Sequence, residues 1–139
     1  MLKFAGITSA LLMLTSAASA ADLTVSINGV KNSSGTVAAA LFNSDANFPR
    51  AQPFGAFRIK ASGGPVTVTF RDLPPGKYAL TTYHDENDNG KLDADAVGVP
   101  TEGYGVSNDA REVLAPPQWA KASFDLTDQA KSIAINLSY

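Results

Sequence analysis

The fold is decided by Leu23-Thr24-Val25-Ser26-Ile27-Asn28-Gly29, in which apolar and polar residues alternate up to an Asn-Gly pair. Successive side chains of a β-strand point to opposite faces, so this alternation predicts a strand with one buried face. Asn-Gly is a typical turn sequence and marks the end of the strand.

The same two-residue period recurs along the chain, and Gly, Pro, Asn and Ser clusters separate the runs. Further strands are predicted at 37–41, 54–61, 66–70, 78–84, 122–126 and 133–139. The best helical candidate, 107–114, is short and precedes Pro116-Pro117, so it predicts a turn or two at most. We therefore predict an all-β fold, an antiparallel two-sheet sandwich of about seven strands with one long acidic loop. The predicted core residues are Leu23, Val25, Ile27, Leu41, Val68, Phe70, Leu80, Ile133, Ile135 and Leu137.

Composition narrows the classes of function. The chain has 139 residues, 45% hydrophobic and 17% charged, and no Cys, which excludes disulfides, thiolate zinc sites and iron–sulfur clusters. With a formal net charge of -2, the chain lacks the excess of basic side chains that nucleic-acid binding through the phosphate backbone requires. A metal or catalytic site must therefore use oxygen-bearing side chains or the single histidine, His84. Any other function would depend on surface contacts.

The first twenty residues have the pattern of a secretory signal peptide. Lys3 is followed by an uncharged, mostly apolar run that ends in Ala18-Ser19-Ala20, with small residues where the signal peptidase cuts. A membrane anchor is the alternative, but polar residues interrupt the run and it is barely long enough to span. We predict cleavage after Ala20, a single domain over 21–139 without a membrane span, and a periplasmic or secreted location.

The stretch 85–112 differs from the rest of the chain. It contains eight acidic and two basic side chains and shows no obvious strand. A connection of this length is uncommon in a compact sandwich unless it has a function or its own scaffold. Clustered carboxylates repel one another, so a bound cation would organise the segment.

The run 85–93 matches the first nine positions of an EF-hand-type calcium loop. Oxygen-bearing side chains occupy positions one, three, five and nine, a glycine sits at position six where the chain must turn, and a leucine fills position eight. The predicted weak calcium ligands are Asp85, Asn87, Asn89, the backbone carbonyl of Lys91, and Asp93.

Position twelve departs from the pattern, because Ala96 stands where a bidentate Glu is expected. Asp95 lies one residue early, and Glu102 would have to fold back to serve as a ligand. The alternative is a metal-free turn in which Asp and Asn side chains accept hydrogen bonds from backbone amides.

Three motifs together resemble a family of bacterial exported proteins known as domain of unknown function 2141. They are Leu73-Pro74-Pro75-Gly76-Lys77-Tyr78-Ala79-Leu80, the segment 84–93, and Gly98-Val99-Pro100-Thr101-Glu102-Gly103-Tyr104 with its continuation to Asn108. The resemblance implies an immunoglobulin-like or prealbumin-like sandwich and brings no established activity. The acidic loop is also similar to the calcium loops of collagen-adhesin B-type repeats.

These observations favour a non-enzymatic binding or structural module of the envelope, with calcium as cofactor and a partner in the envelope or outside the cell. A small hydrolase using His84, nearby carboxylates and Ser107 or Ser123 is an alternative, although neither serine lies in a nucleophile elbow. A second alternative is a carbohydrate- or peptide-binding domain that uses Tyr104 and Trp119 as an aromatic platform. Trp119 could instead close one end of the core.

Overall fold

A computed structural model describes residues 19–139, which form two β-sheets. The strands are β1 (Ala21–Asn28), β2 (Thr36–Phe42), β3 (Gly55–Lys60), β4 (Val66–Leu73), β5 (Gly76–Asp85), β6 (Tyr104–Val106), β7 (Phe124–Leu126) and β8 (Lys131–Asn136). A 3₁₀ turn spans Ser107–Asp109, and the short helix α1 spans Trp119–Ala122. The predicted signal peptide lies almost wholly outside the described residues, so it stays a prediction.

The two sheets have three and five strands. The smaller sheet has the order β4-β1-β8. The larger has the order β3-β2-β5-β6, with β7 paired to the start of β5. This arrangement confirms the predicted all-β fold and is consistent with a sandwich.

The core between the sheets follows the two-residue period. In β1 the alternating burial of Leu23, Val25 and Ile27 is complete, and each is fully inaccessible to solvent. Nine of the ten predicted core residues are buried members of this cluster, and Ile133 is partly buried and packs against it. Burying one such aliphatic side chain contributes about 1.5–3 kcal/mol, so the cluster supplies most of the driving force for folding.

A second, smaller cluster covers the outer face of the five-stranded sheet. It contains Ala79 of β5, whereas its neighbours Tyr78 and Leu80 belong to the core between the sheets. Adjacent residues of a strand face opposite ways, so the second cluster lies on the far side of the sheet. Its members are Ala79, Tyr104, Val106, Ala110 and Ala122, against which Phe48, Leu92 and Trp119 pack.

Three sequence predictions need correction. The stretch 85–112 is not free of strands, because β6 pairs with β5 through Tyr104 and Tyr83. The sheets are not purely antiparallel, since β1 and β8 run parallel. The predicted strand 122–126 begins only at Phe124, because Ala122 ends α1.

Candidate functional site

The acidic loop starts at a buried carboxylate. Asp85 ends β5 and is fully inaccessible to solvent. Its Oδ2 atom lies 2.7 Å from Arg58 Nη2 of β3 and accepts a hydrogen bond from the Gly90 amide at 2.8 Å. Its Oδ1 atom accepts one from the Asn89 amide at 3.1 Å. One side chain thus joins β3 to the far end of the turn that follows β5.

Charge and hydrogen bonding keep Asp85 ionised. Burial by itself would raise the pKa of this carboxyl. The hydrogen bond from Arg58 and those from the Gly90 and Asn89 amides outweigh burial, so the pKa of Asp85 lies below its ordinary value. Asp85 therefore carries a negative charge at neutral pH, and Arg58 balances it.

Backbone geometry explains why a glycine follows. Gly90 has a φ of 83°, in the left-handed region where a side chain is disfavoured. Asp88 also has a positive φ of 55°, which Asp tolerates better than most residues. These two residues curl the chain so that its amides point back at Asp85. The predicted sharp turn at position six is therefore present.

The side chains at positions three, five and nine converge. Asn87 Nδ2 lies 2.7 Å from Asp93 Oδ2, and Asn89 Nδ2 lies 2.7 and 2.9 Å from the two oxygens of Asp93. The two amide oxygens accept backbone amides within the turn, at 3.3 Å for Asn87 and 3.1 Å for Asn89. The spacing thus brings together three of the predicted ligand residues beside Asp85.

Glu102 braces the loop from inside. Its side chain is buried, with Oε1 accepting the Glu86 amide and Oε2 accepting the Asp93 amide, each at 3.0 Å. The two oxygens thus connect the residue that follows Asp85, the first predicted ligand, to Asp93, the last one. Glu102 was predicted only as a possible ligand, because nothing in the local sequence distinguishes a buried Glu that holds backbone amides from an exposed one.

Asp95 also accepts hydrogen bonds from backbone amides, but it is exposed to solvent whereas Glu102 is buried. Its Oδ1 atom accepts the amides of Val97 and Val99, each at 3.0 Å. A bridge between Ala94 and Pro100 closes this small turn. Asp95 therefore shapes the next turn of the loop.

Two further contacts fix the loop to the sheet. Leu92, at the apolar position eight, packs on the second cluster. The Tyr83 hydroxyl donates a hydrogen bond to the Gly90 carbonyl at 3.2 Å. The first part of the loop is thus held against the outer face of the five-stranded sheet by Leu92 and Gly90.

The donor set fits calcium in kind but is short in number. Each carboxylate oxygen has two lone pairs, so Asp85 Oδ1, with one partner, can still accept a cation. Rotating the Asn87 and Asn89 amides would turn carbonyl oxygens toward Asp93. Within residues 19–139, no group of three or more acidic or histidine side chains is arranged so that it could hold a metal ion. Calcium binding therefore stays a prediction.

His84 is a structural residue in the inner layer. It is fully buried, with Nε2 2.6 Å from the Ser34 carbonyl and Nδ1 2.9 Å from the Tyr139 hydroxyl. A carbonyl can only accept, so Nε2 carries a hydrogen and donates it to the Ser34 carbonyl. The ring thus holds the residues before β2 and the end of the chain together.

The serines proposed as partners of His84 are also accounted for. The Ser107 hydroxyl accepts the Leu80 amide at 3.0 Å and donates to the Ala122 carbonyl at 2.6 Å. Ser123 lies just after α1 and contributes backbone atoms to neighbouring contacts. Because both nitrogens of His84 have other partners, a Ser–His pair is not formed.

Tyr104 and Trp119 do not make an open platform. Tyr104 is only 8% exposed, and its burial raises the pKa of its hydroxyl to about 12. Trp119 packs edge-on against Phe48, with ring centroids 5.6 Å apart. Both rings belong to the second cluster, which corrects the expectation of two exposed aromatics.

Among residues 19–139, no helix is long and apolar enough to cross a membrane. Comparison with curated proteins and with solved structures gave no match. A family described as "Uncharacterized protein conserved in bacteria (DUF2141)" matches residues 25–134. The match runs from β1 through most of β8 and includes the whole acidic loop. The chain therefore belongs to this bacterial family.

Proposed function

We propose that this protein is an exported, non-enzymatic binding or structural module of the bacterial envelope whose acidic loop binds calcium weakly. The observation that carries the calcium proposal is the convergence of Asn87, Asn89 and Asp93 beside Asp85. The five predicted ligand residues, with Lys91 acting through its backbone carbonyl, would each supply one oxygen. Water would then complete the six to eight ligands that calcium takes.

Weak affinity follows from the charges. Arg58 already balances Asp85, so Asp93 is the one predicted ligand carboxylate without a basic side chain in contact among the described residues. Position twelve contributes no side-chain oxygen. We therefore expect a dissociation constant of about 10⁻⁴–10⁻³ M, in the range of extracellular calcium modules.

Isothermal titration calorimetry tests this proposal. Asp85→Ala should abolish binding, because it removes a ligand and the acceptor that holds the turn. Ala96→Glu should tighten binding by supplying the missing ligand at position twelve. Ala94→Glu is the matched control: it adds the same charge two residues earlier and should have a smaller effect. If neither the parent protein nor Ala96→Glu binds calcium, the loop is a metal-free turn.

The non-enzymatic proposal is supported by the contacts of His84. Both ring nitrogens are engaged with Ser34 and Tyr139, which leaves the ring no free nitrogen for proton transfer. A hydrolase that used His84 as its general base would need such a nitrogen near a nucleophile. Screening the purified protein against ester, peptide and glycoside substrates should give no turnover, and turnover abolished by His84→Gln would establish the hydrolase instead.

Export is proposed from the sequence of the first twenty residues. The intact mass of the protein recovered from bacteria should correspond to a chain beginning at Ala21. Retention of Met1 would refute cleavage, and recovery from the cytoplasm would refute export.

A further inference from the structure

A cleft lies on the outer face of the five-stranded sheet, beside the acidic loop. It has a volume of about 450 Å³, and its lining includes Thr81, Tyr83 and Tyr104 from β5 and β6. The rest of the lining comes from the acidic loop, from 112–117 and from Pro49-Arg50. Ligand sites commonly measure about 300–1,000 Å³, so the cleft can hold a small molecule.

The walls are mainly apolar. Leu92 and Pro100 line one part of the cleft, and Val113 and Leu114 line another. Val113 is 58% exposed and Leu114 is 74% exposed. An occupant with an apolar body would remove this surface from water and gain free energy. A sugar would fit less well, because apolar walls cannot replace the hydrogen bonds its hydroxyls make with water.

Two arginines at or beside the cleft are available to pair with an anion. Arg50 lines the cleft and takes part in none of the ion pairs found within residues 19–139. Arg111 is also absent from those pairs; its guanidinium lies 6.0 Å from the ring centroid of Tyr104, and its buried Nε has no hydrogen-bond partner. Glu112 is balanced by Lys121 at 2.8 Å. Two guanidinium groups without carboxylate partners therefore lie at the cleft or directly beside it.

We infer that this cleft binds a small amphiphilic carboxylate, with its apolar chain against the leucines and prolines of the walls and its carboxylate paired with Arg50. The planar guanidinium matches a carboxylate in two parallel hydrogen bonds. This site is separate from the proposed calcium ligands, although Leu92 comes from the same loop. Its test does not depend on calcium binding.

Calorimetry of the full protein with octanoate, octanol and octylammonium tests the inference. Octanoate should bind at least about tenfold more tightly than octylammonium, since a charge-assisted pair replaces repulsion. Affinity should rise from hexanoate to octanoate, by up to about fourfold for each buried methylene.

Two pairs of variants locate the site. Arg50→Gln should weaken octanoate binding only about fivefold, because Arg50 is exposed to solvent, and should leave octanol binding unchanged, because octanol has no charge to pair with it. Arg71→Gln removes an exposed arginine that pairs with Asp22 elsewhere, and should change neither. Leu114→Asp should weaken octanoate binding at least about tenfold, whereas Val97→Asp places the same charge on an exposed residue outside the cleft lining and should have a smaller effect.

Several results would overturn the inference. One is the absence of saturable octanoate binding, and another is equal binding of octanoate and octanol with no response to Arg50→Gln. A third is a concentration-dependent dimer that Leu114→Asp dissociates, which would assign the apolar walls to a second copy of the chain. Circular dichroism of each variant verifies that the fold is intact.

Discussion

The core between the sheets and the acidic loop are built on opposite principles. The core is an apolar layer whose side chains alternate along strands, such as Val25 and Ile27 of β1. The loop instead has two buried carboxylates, Asp85 and Glu102, that accept backbone amides. Burial stabilises the first region without directionality, whereas the second depends on particular donors and acceptors. A charge is therefore destructive in one region and necessary in the other.

The largest expected effect comes from placing a charge in the core. Val68 is 5% exposed and packs between the sheets, so Val68→Asp should unfold the protein, because an unpaired buried carboxylate costs several kcal/mol. Thr67→Asp, on the exposed face of the same strand, is the control and should leave the fold intact. Circular dichroism and thermal denaturation measure both. A folded Val68→Asp would contradict the assignment of the core.

The converse change removes a charge from the loop. Asp85→Asn replaces one of the two accepting oxygens with an NH₂ donor, and it should cost about 3 kcal/mol of unfolding free energy. Most of this loss comes from the amide hydrogen bonds, because Arg58 is 44% exposed and its ion pair is screened by solvent. Asp88→Asn is the control and should change stability little.

The pH dependence of stability provides a second measure of Asp85. The pKa of this carboxyl is lowered by folding, so its stabilisation is fully present above about pH 4 and is lost as pH falls through the folded-state pKa. Asp85→Asn lacks this contribution at every pH. Urea denaturation should therefore show the gap between the two proteins narrowing in acid. A gap that stays constant down to the lowest pH would contradict the lowered pKa.

A moderate loss of stability is expected when the buried side chain of Glu102 can no longer accept both of its backbone amides. In Glu102→Gln one of two acceptor oxygens becomes a donor, so the amide of Glu86 or Asp93 loses its partner. We expect a loss of about 1–2 kcal/mol. Hydrogen exchange should accelerate at these amides, whereas exchange in β1 should change less. Glu112→Gln disrupts a surface pair and is the control; equal effects of the two changes would argue against the brace.

The smallest effect separates the structural and the calcium roles of the loop. Arg58→Gln should destabilise the calcium-free protein by about 1 kcal/mol, because it removes a partly exposed partner of Asp85. The same change should tighten calcium binding several-fold, since it removes the cation that competes for Asp85. Denaturation measures the change in stability, and calorimetry measures the change in calcium affinity. A change that weakens both properties would show that Arg58 holds the loop in its binding geometry.

The sequence predicts the core well because strand periodicity is a local property. The burial of Leu23, Val25 and Ile27 needs no knowledge of partners. The parallel pairing of β1 with β8 could not be predicted, because it joins residues more than a hundred positions apart, such as Val25 and Ile133.

Strand β6 was missed because its identity lies in its contacts. Its three residues show no informative alternation, and Gly105 is placed where a side chain would collide with Ile135 and Asn136 of β8. A short glycine-containing strand of this kind is recognisable only from the neighbour it approaches.

The candidate site divides in the same way. The spacing of Asn87, Asn89 and Asp93 predicted side chains that the structure brings together, because the turn at Gly90 is local. The contact of Asp85 with Arg58 of β3 arises from strand pairing and leaves no trace in the loop sequence. The bracing by Glu102 is equally long-range.

The most direct test of the calcium-binding loop is a calcium titration of isotope-labelled protein followed by NMR. Calcium should shift the side-chain amide resonances of Asn87 and Asn89 together with the backbone amide of Gly90. All three should report one dissociation constant of about 10⁻⁴–10⁻³ M, while amides of β1 stay unchanged. Absence of a saturable shift at these three groups, or scattered shifts at every exposed carboxylate, would contradict the account.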